Sequence, residues 1–309
     1  MQTMTPLESD FLIRRLRWPT ERVDLVLDTD TYNEIDDQFA LVYAILSAER
    51  LHLQAVYAAP FHNDRSSGPG DGMVKSYEEI LRVLDALGRA SDGFVFRGSE
   101  AWLSDSGTSV PSAARDDLVK RAERRPDTSP LYVVAIGAPT NVASAILAAP
   151  HIREKVVVLW LGGHPVDWHT AGEFNLKQDP PASRVLLDSG VPLVRFPCRR
   201  VAEMLLTTQA EIDAHLAGKS PVGDYLARIF GEFRGGALRG VGVSKVIWDL
   251  AALAWLVNQD WVATTLEPSP ILTEGLTWSR DARRHPTRVA QHVNRDGVFS
   301  DLFARASAS

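Results

Sequence analysis

The chain is almost without cysteine: Cys198 is the single one among 309 residues, which excludes a disulfide scaffold. Long apolar runs are missing as well, and no stretch reaches the ~18 apolar residues of a membrane span. The opening MQTMTPLESDFLIRRL lacks the apolar stretch and small-residue cleavage site of a secretory signal, so a cytoplasmic, reducing location is expected. No basic stripe stands out. Lys and Arg number 33 against 39 Asp and Glu, a formal net charge of −6, which argues against a nucleic-acid partner. There is no internal repeat and no convincing linker. We therefore expect one domain over residues 1–309, with residues 1–20 packing as a peripheral helix. An apolar content of 45% is too high for a disordered chain and sufficient for a large core.

What is present is strand–helix alternation. Val23–Leu27, Leu53–Ala58, Leu131–Ile136, Val156–Leu161 and Pro192–Phe196 are short, nearly continuous apolar runs, as parallel strands covered on both faces require. Helical patterns separate or follow them at Asp37–Ala48, Met73–Leu87, Ser112–Arg124, Asn141–Ala149 and Pro181–Ser189. The fold class read from this order is α/β, an open and mainly parallel sheet flanked by helices. Further on, Thr208–Ala217, Val222–Phe233 and the strongly apolar Val246–Val257 read as helices, and Ile271–Leu272 and Arg288–Val293 as weaker strands. The Gly-rich stretches Ser66–Gly72 and Gly231–Gly242 read as surface loops, with Ser66–Gly72 a mobile rim. Ser66–Gly72 lacks the GK[ST] of a phosphate-binding loop.

The sharpest signal is LVLDTDTYNEIDDQFAL, where Asp28, Asp30, Asp36 and Asp37 fall within ten residues, between an apolar strand and an apolar helix. Ligands of parallel α/β sheets bind beyond the carboxyl ends of strands. Carboxylates crowded there repel, and either hold protons or share a cation; oxygen donors suit Ca²⁺ or Mg²⁺. Asp36 and Asp37 also read as helix-opening residues. An apolar strand followed by Asp28-Thr29-Asp30-Thr31 is in addition similar to haloacid-dehalogenase-like phosphatases, with Asp28 as nucleophile and Asp30 as general acid.

Four segments in order resemble the nucleoside hydrolases. They are Asp28-Thr29-Asp30 with Asp36-Asp37, AIGAPTNVA (Ala135–Ala143), Leu161-Gly162-Gly163 with Glu173-Phe174-Asn175 and Asp179-Pro180, and Trp248-Asp249. The five-residue turn TYNEI replaces the family's shorter Pro-Gly turn. The resemblance implies a Ca²⁺-dependent N-ribohydrolase. Asp30, Asp37, Asp249 and the backbone carbonyl of Thr140 would hold Ca²⁺. Asp36 would be the general base for a Ca²⁺-bound water, attacking an oxocarbenium-like ribosyl centre. Asn63, Glu173, Phe174 and Asn175 would bind the nucleoside, and a homodimer or homotetramer is implied. The same fold could instead serve a non-catalytic nucleoside or ribose binder.

For the leaving base, Trp248 stands where many members carry a His. A Trp beside the metal ligand resembles the purine-preferring branch of the family, where an indole stacks on the base, and this resemblance implies purine preference. Trp102 could supply a second face. The family's Asn for the ribose 5′-hydroxyl has no counterpart between Gly163 and Glu173, so His164 or His169 is a candidate substitute or proton donor, and His62 a further one. Nothing in the sequence gives Cys198 a role.

Overall fold

The apolar runs of the sequence become neighbouring strands of one sheet. The computed structural model describes residues 4–104, 107–233 and 243–309. Its strands are β1 (Val23–Thr29), β2 (Leu51–Ala58), β3 (Val95–Arg97), β4 (Leu131–Ala135), β5 (Val156–Leu161), β6 (Leu193–Phe196), β7 (Leu206–Thr208), β8 (Ser244–Val246), β9 (Val262–Pro268), β10 (Ile271–Leu272), β11 (Trp278–Ser279) and β12 (Pro286–Val293). Its helices are α1 (Ser9–Arg15), α2 (Asp36–Leu46), α3 (Pro69–Ala86), α4 (Ala113–Glu123), α5 (Thr140–Ala148), α6 (Phe174–Gln178), α7 (Pro180–Asp188), α8 (Gln209–His215), α9 (Pro221–Phe233), α10 (Leu250–Val257) and α11 (Arg295–Ser307).

Among the described residues, eight strands form the central sheet in the order β3-β2-β1-β4-β5-β6-β12-β9. All pairings are parallel except β12 with β9 at the edge. Successive side chains of a strand face opposite sides of the sheet, and both sides are covered. Leu25, Leu27 and Val134 join one core with α2 and α10, while Val26, Val133 and Val158 join the other with α5 and α7. That double burial is why the runs are continuously apolar. The chain winds outward from β1 in both directions, so strand order reverses between β1 and β4. At such a switch point parallel sheets form ligand crevices beyond the carboxyl ends of the strands.

Several elements depart from the sequence reading. Val246–Val257 is not one helix. Val246 pairs with Leu206 in the β7–β8 ribbon, the Ile247 N–H donates to the Leu205 carbonyl at 2.8 Å, and α10 starts only at Leu250. Two successive β-branched residues favour the strand there. Asp249 therefore precedes an entirely buried helix rather than sitting inside it. Ser66–Gly72 is only partly loop, since α3 opens at Pro69, a first-turn position that suits proline. Gly72 packs so closely that an added Cβ would lie 2.0 Å from the Phe61 carbonyl oxygen. β3, β9 and α11 lie outside the elements read from the pattern. Of the second Gly-rich stretch, Gly231–Phe233 ends α9, and residues 234–242 lie outside the described residues. The amino-terminal segment forms α1 with Leu12 and Leu16 fully buried. Among the described residues, no helix is long and apolar enough to cross a membrane.

Candidate active site

Beyond the switch point lies a cavity of about 230 Å³. Its acidic floor comes from three places in the chain: Asp30 just after β1, Asp36 and Asp37 in the first turn of α2, and Asp249 just before α10. Carboxylate oxygens of Asp36, Asp37 and Asp249 lie within 4.8 Å of one another. Both oxygens of Asp30 are buried with no hydrogen-bond partner among the described residues. The amino end of α2 favours the negative charge of Asp36 and Asp37. Thr29 Oγ1 donates to Asp37 Oδ1 at 2.5 Å, fixing that carboxylate against β1.

This floor is electrostatically overloaded. Burial first, then Asp37 and Asp36, hold the Asp30 carboxyl well above its ordinary range. Burial and Asp36 push Asp37 up to about 8. Asp249 is raised by burial, then by Asp37, Asp36 and Asp30, with Lys245 opposing. Acids packed this way stay ionised near neutral pH when a cation compensates them. The donor set is all oxygen, which fits a hard divalent ion.

Two oxygens of Asp36 have fixed partners. Lys245 Nζ lies 3.4 Å from Oδ1, and the Trp248 N–H donates to Oδ2 at 3.2 Å. Lys245 is itself buried, and donates to Glu34 Oε2 at 2.5 Å and to the Val246 carbonyl at 3.0 Å. The indole of Trp248 lines the cavity and is half-buried against the core.

The opposite wall is built at the ends of β4, β5 and β6. Asn175 Nδ2 donates to the Ile136 carbonyl at 3.0 Å and the Leu161 carbonyl at 3.1 Å, tying β4 to β5 and leaving its own oxygen unclaimed by these contacts. Glu173 caps α6, and its carboxylate accepts N–H bonds from Gly163 at 2.9 Å, Asn175 at 2.9 Å and Leu176 at 3.2 Å. Phe174, His164, Cys198 and Arg199 complete this wall. Burial and the adjoining Glu173 carboxylate hold the Cys198 thiol far above its usual range. Burial, then Arg199, lowers His164, so its imidazole is neutral near pH 7 and a poor acid for a departing base.

Of the residues singled out in the sequence, Asp30, Asp36, Asp37, Asp249, Trp248, His164, Glu173, Phe174 and Asn175 share this cavity. Thr140 does not line it. Thr140 is the first residue of α5 and its hydroxyl donates to Asp179 Oδ2 at 2.7 Å. The carbonyl-bearing residue that lines the cavity from this segment is Ile136, four positions earlier, and the following Gly137 runs so close to Asp30 that an added Cβ would meet its Cγ at 3.1 Å. Asn63 is also set back. Its Nδ2 donates to Asn33 Oδ1 at 2.7 Å, and Asn33 faces the cavity in its place. His62, His169 and Trp102 lie outside the lining. Asp28 does too: it is fully buried, accepts from Asn141 Nδ2 at 2.8 Å, and is raised to about 7 by burial. An Asp turned away from the cavity cannot serve as the nucleophile of the phosphatase reading. Asn33, Glu34, Cys198, Arg199, Lys245 and Ile136 had no assigned role in the sequence, and only the longer turn TYNEI pointed towards Asn33 and Glu34.

The fold is a doubly wound, mainly parallel sheet with an acidic, oxygen-lined crevice at its switch point. The chain belongs to the inosine-uridine preferring nucleoside hydrolase family, whose description it matches over residues 25–300. It is 25% identical over 319 residues to the pyrimidine-specific ribonucleoside hydrolase RihA of Enterobacter sp. (strain 638), covering 92% of this chain and 97% of that one. It is 27% identical over 276 residues to the non-specific ribonucleoside hydrolase RihC of Shigella flexneri serotype 5b, covering 82% of this chain and 84% of that one. The purine-preferring ribonucleoside hydrolase from Gardnerella vaginalis has the same fold, with a TM-score of 0.71, 20% identity, and coverage of 92% of this chain and 98% of that one. The enzyme class is accordingly that of N-glycosyl hydrolases.

Proposed function

We propose that the protein hydrolyses the N-glycosidic bond of ribosides in a Ca²⁺-dependent reaction, with Asp36 as general base and a purine as the favoured leaving group. One observation carries this reading: Asp36, Asp37 and Asp249, which come together over a separation of more than 200 residues, bring carboxylate oxygens within 4.8 Å of one another beneath a nucleoside-sized cavity. Asp30, Asp37, Asp249 and the Ile136 carbonyl would hold the ion. The Ile136 oxygen keeps a lone pair after accepting from Asn175. When bound, Ca²⁺ supplies positive charge to the crowded floor and Lewis acidity that makes water a nucleophile near neutral pH.

The remaining steps belong to side chains. Asp36, oriented by Lys245 and the Trp248 N–H, takes a proton from the attacking water. Surrounding carboxylates stabilise the positive charge that develops on the ribosyl carbon. The Asn175 oxygen and Glu173 accept bonds from sugar hydroxyls. Trp248 stacks on the departing base, and a purine presents it the larger face.

The test is release of base from inosine, adenosine, guanosine, uridine and cytidine, with and without a chelator. The expected result is release that is lost on chelation, restored by Ca²⁺ and faster for purines. Release that survives thorough chelation overturns the metal assignment, and faster release from pyrimidines overturns the Trp248 preference.

A further inference from the structure

The turn TYNEI between β1 and α2 is anchored on both flanks. Arg65 Nη1 donates to the Glu34 carbonyl at 3.0 Å, and its guanidinium lies over the Tyr32 ring, 4.1 Å from the ring centre. The Asn33 N–H donates to the Asp30 carbonyl at 2.7 Å. From the other flank, Lys245 Nζ donates to Glu34 Oε2 at 2.5 Å. A segment held in this way loses little conformational freedom when it meets a ligand.

The same contacts fix which groups the turn presents. The backbone N–H of Arg65 can only donate, so the Asn63 atom it meets at 2.8 Å is the amide oxygen. Asn63 therefore turns its Nδ2 towards Asn33, and the Asn33 atom 2.7 Å away must be the accepting Oδ1. What remains of that side chain is the donor Nδ2, which has no partner among the described residues. Glu34 gives one oxygen to Lys245, and its Oε1 has no partner among the described residues. Both residues line the cavity. The turn thus offers, on neighbouring residues, an amide donor and a carboxylate that only accepts.

Hydrogen bonds set this pair at one end of the cavity. Lys245 Nζ bridges Glu34 Oε2 and Asp36 Oδ1, and the second Asp36 oxygen accepts the N–H of Trp248, whose indole lines the same space. A base lying on that indole turns an edge towards Asn33 and Glu34. Guanine presents O6, N1–H and the 2-amino group in a row, an acceptor for Asn33 Nδ2 and two donors for the Glu34 carboxylate. Hypoxanthine lacks the 2-amino donor. Adenine reverses the first two positions, setting its amino group against the amide donor and its bare N1 against the carboxylate. A site built from fixed polar groups discriminates against the base that leaves them unpaired.

We infer that Asn33 and Glu34 are the specificity-determining residues of this cavity and that the base they select is guanine. The inference rests on the hydrolase reading above, with Trp248 against the base, and it narrows that reading from purines to one purine.

The experiment measures kcat/KM for guanosine, inosine, adenosine and unsubstituted purine riboside in the wild-type protein, Glu34→Gln and Asn33→Ala. Purine riboside has neither O6 nor a 2-amino group, so it reports damage to the site that is unrelated to reading the edge. The wild-type protein is expected to favour guanosine over adenosine by at least about tenfold, with inosine between them. Glu34→Gln should lower guanosine relative to purine riboside by at least about tenfold, and Asn33→Ala should lower guanosine and inosine but not adenosine. Adenosine turned over as fast as guanosine by the wild-type protein overturns the inference and leaves the hydrolase reading intact. So does an equal loss on all four ribosides in both variants, which would make the turn a structural support only, and so does an unchanged guanosine-to-adenosine ratio in both. Base release from none of the four by the wild-type protein overturns both readings.

Discussion

Lys245 and Asp36, 209 residues apart in the chain, meet with Nζ 3.4 Å from Oδ1, both side chains nearly excluded from solvent. Asp36 is thus the one floor carboxylate with a cationic side chain against it among the described residues. Replacing Lys245 by Met leaves a buried negative charge uncompensated, a loss on the order of 3 kcal/mol. The expected outcome is a lower unfolding midpoint together with a drop in kcat, because the Asp36 carboxylate loses one of its two orienting contacts. Denaturant unfolding and steady-state kinetics measure the two effects separately. An unchanged kcat in a folded Lys245→Met protein removes Lys245 from the orientation of Asp36.

Asp36→Asn keeps the size of the side chain and an acceptor for the Trp248 N–H, so the fold should persist. The proton acceptor is lost. Turnover is expected to fall by on the order of 10³-fold with little change in KM, in keeping with the worth of a general base. Single-turnover base release measures the chemical step directly. Near-normal release would assign the base elsewhere.

The fold was legible because burial on both faces of a parallel sheet writes itself as continuous apolar runs, as in β1, β4 and β5. The floor was legible because its aspartates cluster in one motif and recur once, at Asp249, against an apolar helix. Other parts left no local mark. Lys245 acquires its meaning only when β8 pairs with β7, a contact invisible in the apolar stretch that follows. The family resemblance assigned a backbone carbonyl at Thr140, whereas the residue of this segment that lines the cavity is Ile136, four positions earlier; a backbone oxygen is supplied by any residue and leaves no mark in the pattern. Asn33, in the TYNEI turn, lines the cavity and accepts from Asn63 Nδ2, a pairing between distant segments that the sequence does not display. The edge strand β9, the short strand β3 and helix α11 have patterns too mixed or too brief to read alone.

The overloaded floor predicts a pH-dependent response to the ion. Asp30, Asp37 and Asp249 have pKa values raised by burial and mutual repulsion, Asp37 to about 8 from an ordinary 3.8. A carboxyl raised in the folded state holds its proton more tightly there than in the unfolded chain. Its contribution to stability is present below the unfolded pKa and is lost as pH rises through the folded one. The ion-free protein should therefore lose stability between about pH 4 and pH 8. Ca²⁺ removes that loss by compensating the ionised groups. The difference in unfolding temperature between Ca²⁺-loaded and chelated protein is expected to widen from pH 5 to pH 8, by several degrees at about 2–4 °C per kcal/mol. Scanning fluorimetry across that range measures it, and a difference that is flat or narrowing with pH contradicts the shared-ion floor.

Trp248 joins two parts of the site that are separable by mutation. Its backbone N–H fixes Asp36, and its indole lines the cavity. Trp248→Ala preserves the first contact and deletes the second. Loss of a base stack costs about 1–3 kcal/mol, or about 5- to 150-fold in kcat/KM. The loss should be greater for a purine than for a pyrimidine riboside, since the two-ring base overlaps more of the indole. Trp248→Phe should recover part of the purine activity. If Trp248→Ala instead lowers purine and pyrimidine turnover equally, the indole packs the wall without reading the base, and specificity must come from Phe174 or the Asn33–Glu34 turn.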